Sequence, residues 1–269
     1  MHAPPRQPEV TILIPHYQTL DAIRLCLRSI RRYTSPPYRV LVLVNGSPDG
    51  SLDYLHSVRW IECIATGIAN DLVQAHAGAL NLGADRVDTP YFLVIHSDTY
   101  VHRAGWLEFL VRQAHAGNYA AVGTRHQTIR AYDSALLARF TARAAGLLTR
   151  VARREVAAGV PWLRSCLVLY RTDAFRAAAC RFATNGRQDT THAVNRTLVA
   201  HRRRLLALPD RVLGYYVFHK GDTTRIVNHL YCPDDTEFLG RIDRHRRHLG
   251  SFHCRGDIQA ILRDASLDA

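Results

Sequence analysis

The sequence predicts an α/β fold, a mostly parallel central sheet with helices on both faces. Three observations predict it. Short apolar runs rich in β-branched residues alternate with segments of helical periodicity from Val10 to Ala116, the pattern of parallel strands joined by crossover helices. Three of the runs, Val10 to Ile14, Val40 to Val44 and Tyr91 to Ile95, are nearly continuous in apolar residues, as strands buried on both faces are. Three of them end in polar clusters, His16-Tyr17, Asn45 to Asp49 and His96 to Asp98. Ligands of such sheets bind beyond the carboxyl ends of the strands.

Val10 to Ile14, ended by Pro15, reads as the first strand. Leu20 to Tyr33 carries Leu20, Ile23, Leu27 and Ile30 at helical spacing. Arg39 to Val44 is a second strand running into the turn formers Asn45-Gly46-Ser47-Pro48-Asp49-Gly50. A short helix over Ser51 to Ser57, a strand over Ile61 to Ala65 and a helix over Ala75 to Arg86 follow, the last with Gly and Ala for close packing. Tyr91 to His96 is the fourth strand and Gly105 to Ala116 the next helix. Further on, Leu163 to Tyr170 reads as a strand, and Thr172 to Ala179 and Asp189 to Arg204 as helices. Val212 to Phe218 is an apolar run ending at His219, and Asp235 to Ala269 is a polar, helical tail.

A chain of 269 residues, 47% hydrophobic and 22% charged, can bury a full core and is not disordered. No apolar run approaches the ~20 residues that span a bilayer, and Met1 to Glu9 has no apolar leader core, so a cytoplasmic location is expected. The six cysteines form no Cys-x-x-Cys pair and read as buried thiols in a reducing compartment. The formal charge is +12 with a single lysine, Lys220, so the cations are almost all arginine. That suits partners such as diphosphates, anionic lipid or acidic glycan. No nucleic-acid-binding signature accompanies the charge, and no nucleic-acid partner is expected.

From Val10 to Gly221 the ordered motifs resemble family 2 glycosyltransferases of the GT-A fold. The Pro15-His16-Tyr17-Gln18 strand end matches that family's opening motif, with Gln18 at an Asn position. Asn45, Ser47, Asp49, Gly50 and Ser51 match its second motif, whereas Val44 replaces an Asp that contacts the base. Asn81-Leu82-Gly83 and the strand ending His96-Ser97-Asp98-Thr99 match its third. Asp98 takes the second acidic position there, and His96 stands where the first acid would be. Arg164 to Phe175, Gln188-Asp189 and Phe218-His219-Lys220-Gly221 match later ones. The resemblance implies domain bounds of 1–9 (polar extension), 10–230 (transferase, split into a nucleotide half 10–100 and an acceptor half 101–230) and 231–269 (helical extension).

The resemblance further implies inverting transfer of a sugar from a nucleoside-diphosphate sugar to a hydroxyl of a glycan or lipid-linked acceptor. Such chemistry must neutralise a departing diphosphate, deprotonate the acceptor and align both. Mn²⁺ or Mg²⁺ held by Asp98, with His219 as a second ligand and His96 as a further candidate, would do the first. Lys220 and Arg225 could supplement it. Pro15, His16, Tyr17, Asn45, Ser47, Asp49, Asn81, Ser97 and Asp98 are the nucleotide-sugar candidates, and Asp189 is the candidate base. Each has a plainer reading: Asp98, Asp49 and Asn45 as turn residues, Tyr17 as core, Asp189 as a helix cap. Leu136 to Arg154 reads first as a solvated arginine face over a core stripe, and second as a surface that docks peripherally on anionic membrane. A non-catalytic nucleotide-sugar-binding protein of the same fold is the main rival. A nucleotidyltransferase ranks lower because no Gly-rich triphosphate loop follows Pro15.

Overall fold

A computed structural model describes residues 8–35, 37–67, 72–130, 163–184, 189–219, 221, 223–228, 242, 250 and 252–269. Its strands are β1 (Val10–His16), β2 (Arg39–Val44), β3 (Glu62–Ala65), β4 (Tyr91–Ile95), β5 (Thr99–Val101), β6 (Ala121–Gly123), β7 (Leu167–Arg171), β8 (Leu205–Ala207) and β9 (Val217–His219). Its helices are α1 (Leu20–Tyr33), α2 (Ser51–Ser57), α3 (Leu72–Arg86), α4 (Trp106–Ala116), α5 (Thr172–Ala177), α6 (Thr191–Ala200), α7 (Asp210–Leu213), α8 (Thr223–Val227) and α9 (Gly256–Arg263).

Seven strands form one sheet in the order β3-β2-β1-β4-β7-β6-β8. All its pairings are parallel except those of β7, which runs against both β4 and β6. Every residue of β1 and β4 is buried, which explains why those runs carry no polar alternation. On one face Ile12, Ile14, Val42 and Leu93 pack with Ile23 and Leu27 of α1 and Phe109 and Leu110 of α4. On the other, Leu13, Leu41, Phe92 and Val94 pack with Leu80 of α3, Phe175 of α5 and Leu198 of α6. The α3 backbone comes so close to the sheet that a Cβ at Gly83 would lie 2.8 Å from Leu43 Cδ1, so any side chain there must displace the tip of Leu43.

Several expected elements differ; the helix expected over Asp189 to Arg204, for one, covers only Thr191–Ala200. The apolar run 212–218 is not one segment. Pro209 and Asp210 start a single helical turn, α7, and only Val217–His219 is extended. There β9 leaves the main sheet and pairs antiparallel with β5, Thr99 opposite His219 and Tyr100 opposite Phe218. The strand expected from Leu163 begins at Leu167, because Ser165 and Cys166 form a turn closed by the Leu167 N–H on the Arg164 carbonyl. The segment 136–154 lies outside the described residues.

Residues 252–269 pack back on the first half of the chain. Ile258 and Ile261 of α9 bury against Leu25 of α1. A 3₁₀ turn, Ala265–Asp268, brings Asp268 to the nearly buried Arg28 guanidinium, where it accepts two hydrogen bonds, and to the Tyr54 hydroxyl at 3.0 Å. Among the described residues no helix is long and apolar enough to cross a membrane.

Candidate active site

The site is built where β4 and β9 end. The chain leaves β4 through His96-Ser97-Asp98 and enters β5, which pairs with β9 and so sets Asp98 beside His219. His219 Nε2 lies 2.8 Å from Asp98 Oδ1, and His219 Nδ1 lies 2.6 Å from the carbonyl oxygen of Gln127. Both partners can only accept, so both ring nitrogens donate and the ring is an imidazolium. Burial opposes a charge on His219, yet the Asp98 carboxylate holds its pKa well above the ordinary histidine value. Burial would likewise raise the Asp98 carboxyl, but the His219 charge and hydrogen bond and the His96 ring keep it far below the usual range. The main chain of His219 is fixed on its other side by reciprocal bonds with Ile129 at 2.9 Å.

His96 stands beside this pair. One ligand atom from each of His96, Asp98 and His219 falls within 4.8 Å of the others. His96 Nε2 is 3.0 Å from Ser165 Oγ, and Ser165 donates to Asp189 Oδ2 at 3.3 Å. Because Asp189 accepts the Ser165 O–H, Ser165 in turn accepts from His96 Nε2–H, which leaves His96 Nδ1 with its lone pair. Burial and the neighbouring His219 and His76 rings push the His96 pKa down to about 3, so it stays neutral. The three rings form a row, His76–His96 at 5.4 Å and His96–His219 at 5.2 Å between centroids.

Asp189 divides its two oxygens. Oδ1 accepts from the Thr191 main-chain N–H at 3.0 Å and hydroxyl at 2.6 Å, which caps α6, while Oδ2 faces Ser165 and lies 3.7 Å from the Arg164 guanidinium. Burial raises its pKa, but the Thr191 bonds and the His96 and His76 rings bring it below the ordinary value.

The candidates on the first two strand ends are placed differently. His16 closes β1 with both ring nitrogens buried and without a hydrogen-bond partner, and burial lowers its pKa to about 4. Asp49 has both oxygens engaged: Oδ2 takes the Leu20 N–H at 3.1 Å, and Oδ1 takes the Ser51 N–H at 3.2 Å and hydroxyl at 2.6 Å. It caps α1 and α2 at once. Ser47 Oγ accepts from the Gln18 N–H at 3.1 Å, and Asn45 Oδ1 accepts from the Thr66 hydroxyl. Asn81 is turned to structure: its amide brackets the Phe182 main chain, donating and accepting at 2.9 Å. Pro15 and Ser97 are buried and Tyr17 is half-buried. Lys220, Gln188 and the Arg225 side chain lie outside the described residues.

Sequence reasoning missed three contributors. The Gln127 carbonyl is a main-chain atom and leaves no mark in a sequence. Ser165 stood inside a quoted motif without a role. His76 is an imidazole among small residues, Ala75 and Ala77, on the inner face of α3, and that contrast was the available signal.

Glycosyl transferase family 2 matches residues 11–177. Teichoic acid poly(glycerol phosphate) polymerase of Staphylococcus epidermidis is 28% identical over 98 residues, 34% of this chain and 13% of that protein. A structure of the mannosyltransferase PcManGT from Pyrobaculum calidifontis, in complex with GDP-Man and Mn²⁺, superposes with a TM-score of 0.55 at 17% identity, over 77% of this chain and 56% of that one. Staphylococcus aureus TarS gives 0.55 at 11% identity, over 78% and 36%. The chain therefore spans well under two thirds of each of these proteins, and at such identities the two structures establish a shared fold. With the family match covering more than half of the sequence, on a GT-A sheet, the chain belongs to glycosyl transferase family 2.

Proposed function

We propose that this chain moves a sugar from a nucleoside-diphosphate sugar to an acceptor hydroxyl with inversion, using a divalent cation. The observation that carries the reading is the His96–Asp98–His219 cluster at the carboxyl end of the sheet. The residues fit a cation. His219 donates Nδ1–H to a main-chain carbonyl, the arrangement that orients metal-ligating imidazoles. The 2.8 Å between its Nε2 and Asp98 Oδ1 suits two adjacent ligands of one ion, once the proton they share is released. The similar mannosyltransferase binds GDP-Man and Mn²⁺. When bound, such a cation supplies Lewis-acid neutralisation of the departing diphosphate.

The chain's own groups do the rest. At the end of β1 the half-buried Tyr17 meets the nucleotide, with the buried His16 ring and Ser97 forming the floor beneath it. Asn45, Ser47 and Asp49 shape the loop that lines the nucleotide through their own hydrogen bonds. Asp189 Oδ2 accepts the acceptor proton, while its Oδ1 stays tied to α6. One carboxylate suffices for a direct displacement, which inverts the anomeric carbon. The acceptor is a glycan or lipid-linked hydroxyl. The described cysteines are free, which supports a cytoplasmic setting.

The test is a spectroscopic titration of several nucleoside diphosphates with and without Mn²⁺, followed by donor hydrolysis and anomer analysis of the product. Cation-dependent binding with turnover to the inverted anomer is expected. Binding with no hydrolysis would favour a non-catalytic nucleotide-sugar receptor, and a retained anomer would overturn inversion.

A further inference from the structure

The geometry points to His96 as a third protein ligand that makes this centre selective for later divalent transition metals over Mg²⁺. The inference rests on the metal-dependent reading above and goes beyond it, because it assigns the ion's identity to one residue.

Three independent features support it. First, one donor atom of His96 shares a 4.8 Å cluster with those of Asp98 and His219, giving two imidazoles and one carboxylate. Second, each imidazole has one nitrogen tied to a fixed acceptor: His219 Nδ1–H to the Gln127 carbonyl, and His96 Nε2–H to Ser165, which is itself held by Asp189. Such outer bonds fix a ring's orientation and leave one nitrogen for a metal. Third, the His96 ring is wedged edge-to-face between His76 and His219, at interplanar angles of 88° and 74°, so its plane cannot turn freely.

The chemistry then sets the preference. Mg²⁺ is hard, keeps its water and takes oxygen donors, whereas imidazole nitrogen suits Fe²⁺, Co²⁺ and Zn²⁺, with Mn²⁺ the weakest-bound of that series. A site with two nitrogen donors and one carboxylate oxygen gives Mg²⁺ a single good protein ligand. An acid at position 96 would supply a second oxygen and remove that discrimination.

The experiment uses the full chain stripped of metal and the metals alone. Co²⁺ is titrated by its visible absorption, with Mg²⁺ and Mn²⁺ as competitors. For the wild type, a ~100-fold excess of Mg²⁺ should fail to displace Co²⁺, while Mn²⁺ should compete. In His96→Asp the Mg²⁺-to-Co²⁺ affinity ratio should rise by about ten-fold or more, the scale on which a single change around a metal site alters affinity. An unchanged ratio in that variant, or Mg²⁺ competing as well as Mn²⁺ in the wild type, overturns the inference and leaves metal-dependent transfer standing. A wild type that binds neither Co²⁺ nor Mn²⁺ overturns both. Should His96→Asp not fold, pulsed EPR of Mn²⁺ on the wild type decides instead. Nitrogen couplings from two rings are expected, and couplings from one ring overturn the assignment.

Discussion

Tyr100 and Phe218 stand opposite each other across the β5–β9 ribbon, and that pairing sets Asp98 and His219 at one end of it. The Phe252 ring lies against both, stacked on Phe218 at 4.5 Å and edge-on to Tyr100 at 5.8 Å. Behind the pair a cavity of about 20 Å³, enough for a single water, is lined by Asp98, Thr99 and Thr223 along with these rings. The segment carrying Phe252 thus braces the ribbon on which two proposed ligands sit.

Phe252→Ala should therefore weaken cation binding without touching a ligand. Loss of a half-buried aromatic should cost about 2 kcal/mol of stability, read as a fall in melting temperature. Mn²⁺ affinity should fall in the same variant. Wild-type affinity would mean that the ribbon holds its shape unaided.

Asp98 cannot be removed without consequence for its partner. Because His219 is fully buried and charged, Asp98→Ala leaves an unpaired buried imidazolium and should cost about 3–5 kcal/mol. Asp98→Ala/His219→Gln should recover part of that stability while still lacking cation-dependent nucleotide binding. Thermal melts of both single variants and the double variant measure the coupling.

Asp189→Asn separates base from cap. Asn keeps an oxygen for the two Thr191 bonds, so the stability cost should be at most ~1 kcal/mol. It cannot take a proton at the position of Oδ2, so turnover should drop by about 10²–10⁴ with nucleotide affinity near wild type. Unimpaired transfer would reduce Asp189 to its capping role.

His16 should make the fold sensitive to mild acid. Its folded pKa of about 4 lies below the ordinary 6.5, so between these values the unfolded chain holds more protons. Stability from the neutral buried ring is complete above pH 6.5 and is lost as pH falls toward 4. The full loss is about 3 kcal/mol. His16→Gln should flatten that part of the curve in denaturant titrations at pH 7, 6, 5 and 4.

The sheet was legible because its strands are buried on both faces, and continuous apolar runs such as Val10 to Ile14 admit few other readings. The strand ends were legible because polar side chains cluster there, although His16 and Ser97 among them are themselves buried. Local chemistry misled at 212–218, where a Pro-Asp helix start just ahead of the apolar run draws Val212 and Leu213 into a helical turn. The roles of individual site residues were less legible, because they depend on distant partners. Asn81 answers to Phe182, 101 residues away, and His219 to Asp98, 121 residues away. Asp49 and Asp189 illustrate a second difficulty. An aspartate before a helix reads alike as cap or as ligand, and only the hydrogen bonds of each oxygen separate the two.

The bond between Arg28 and Asp268 spans 240 residues, and this bears on how the protein is made. Translation at about 5–20 residues per second brings Asp268 out of the ribosome roughly 10–50 s after Arg28. Through that interval the inner face of α1 can settle on the sheet, but its outer face has neither a counter-ion for Arg28 nor the Ile258 and Ile261 side chains that cover Leu25. The nascent first half therefore waits with an open, basic flank until residues 252–269 emerge and close it.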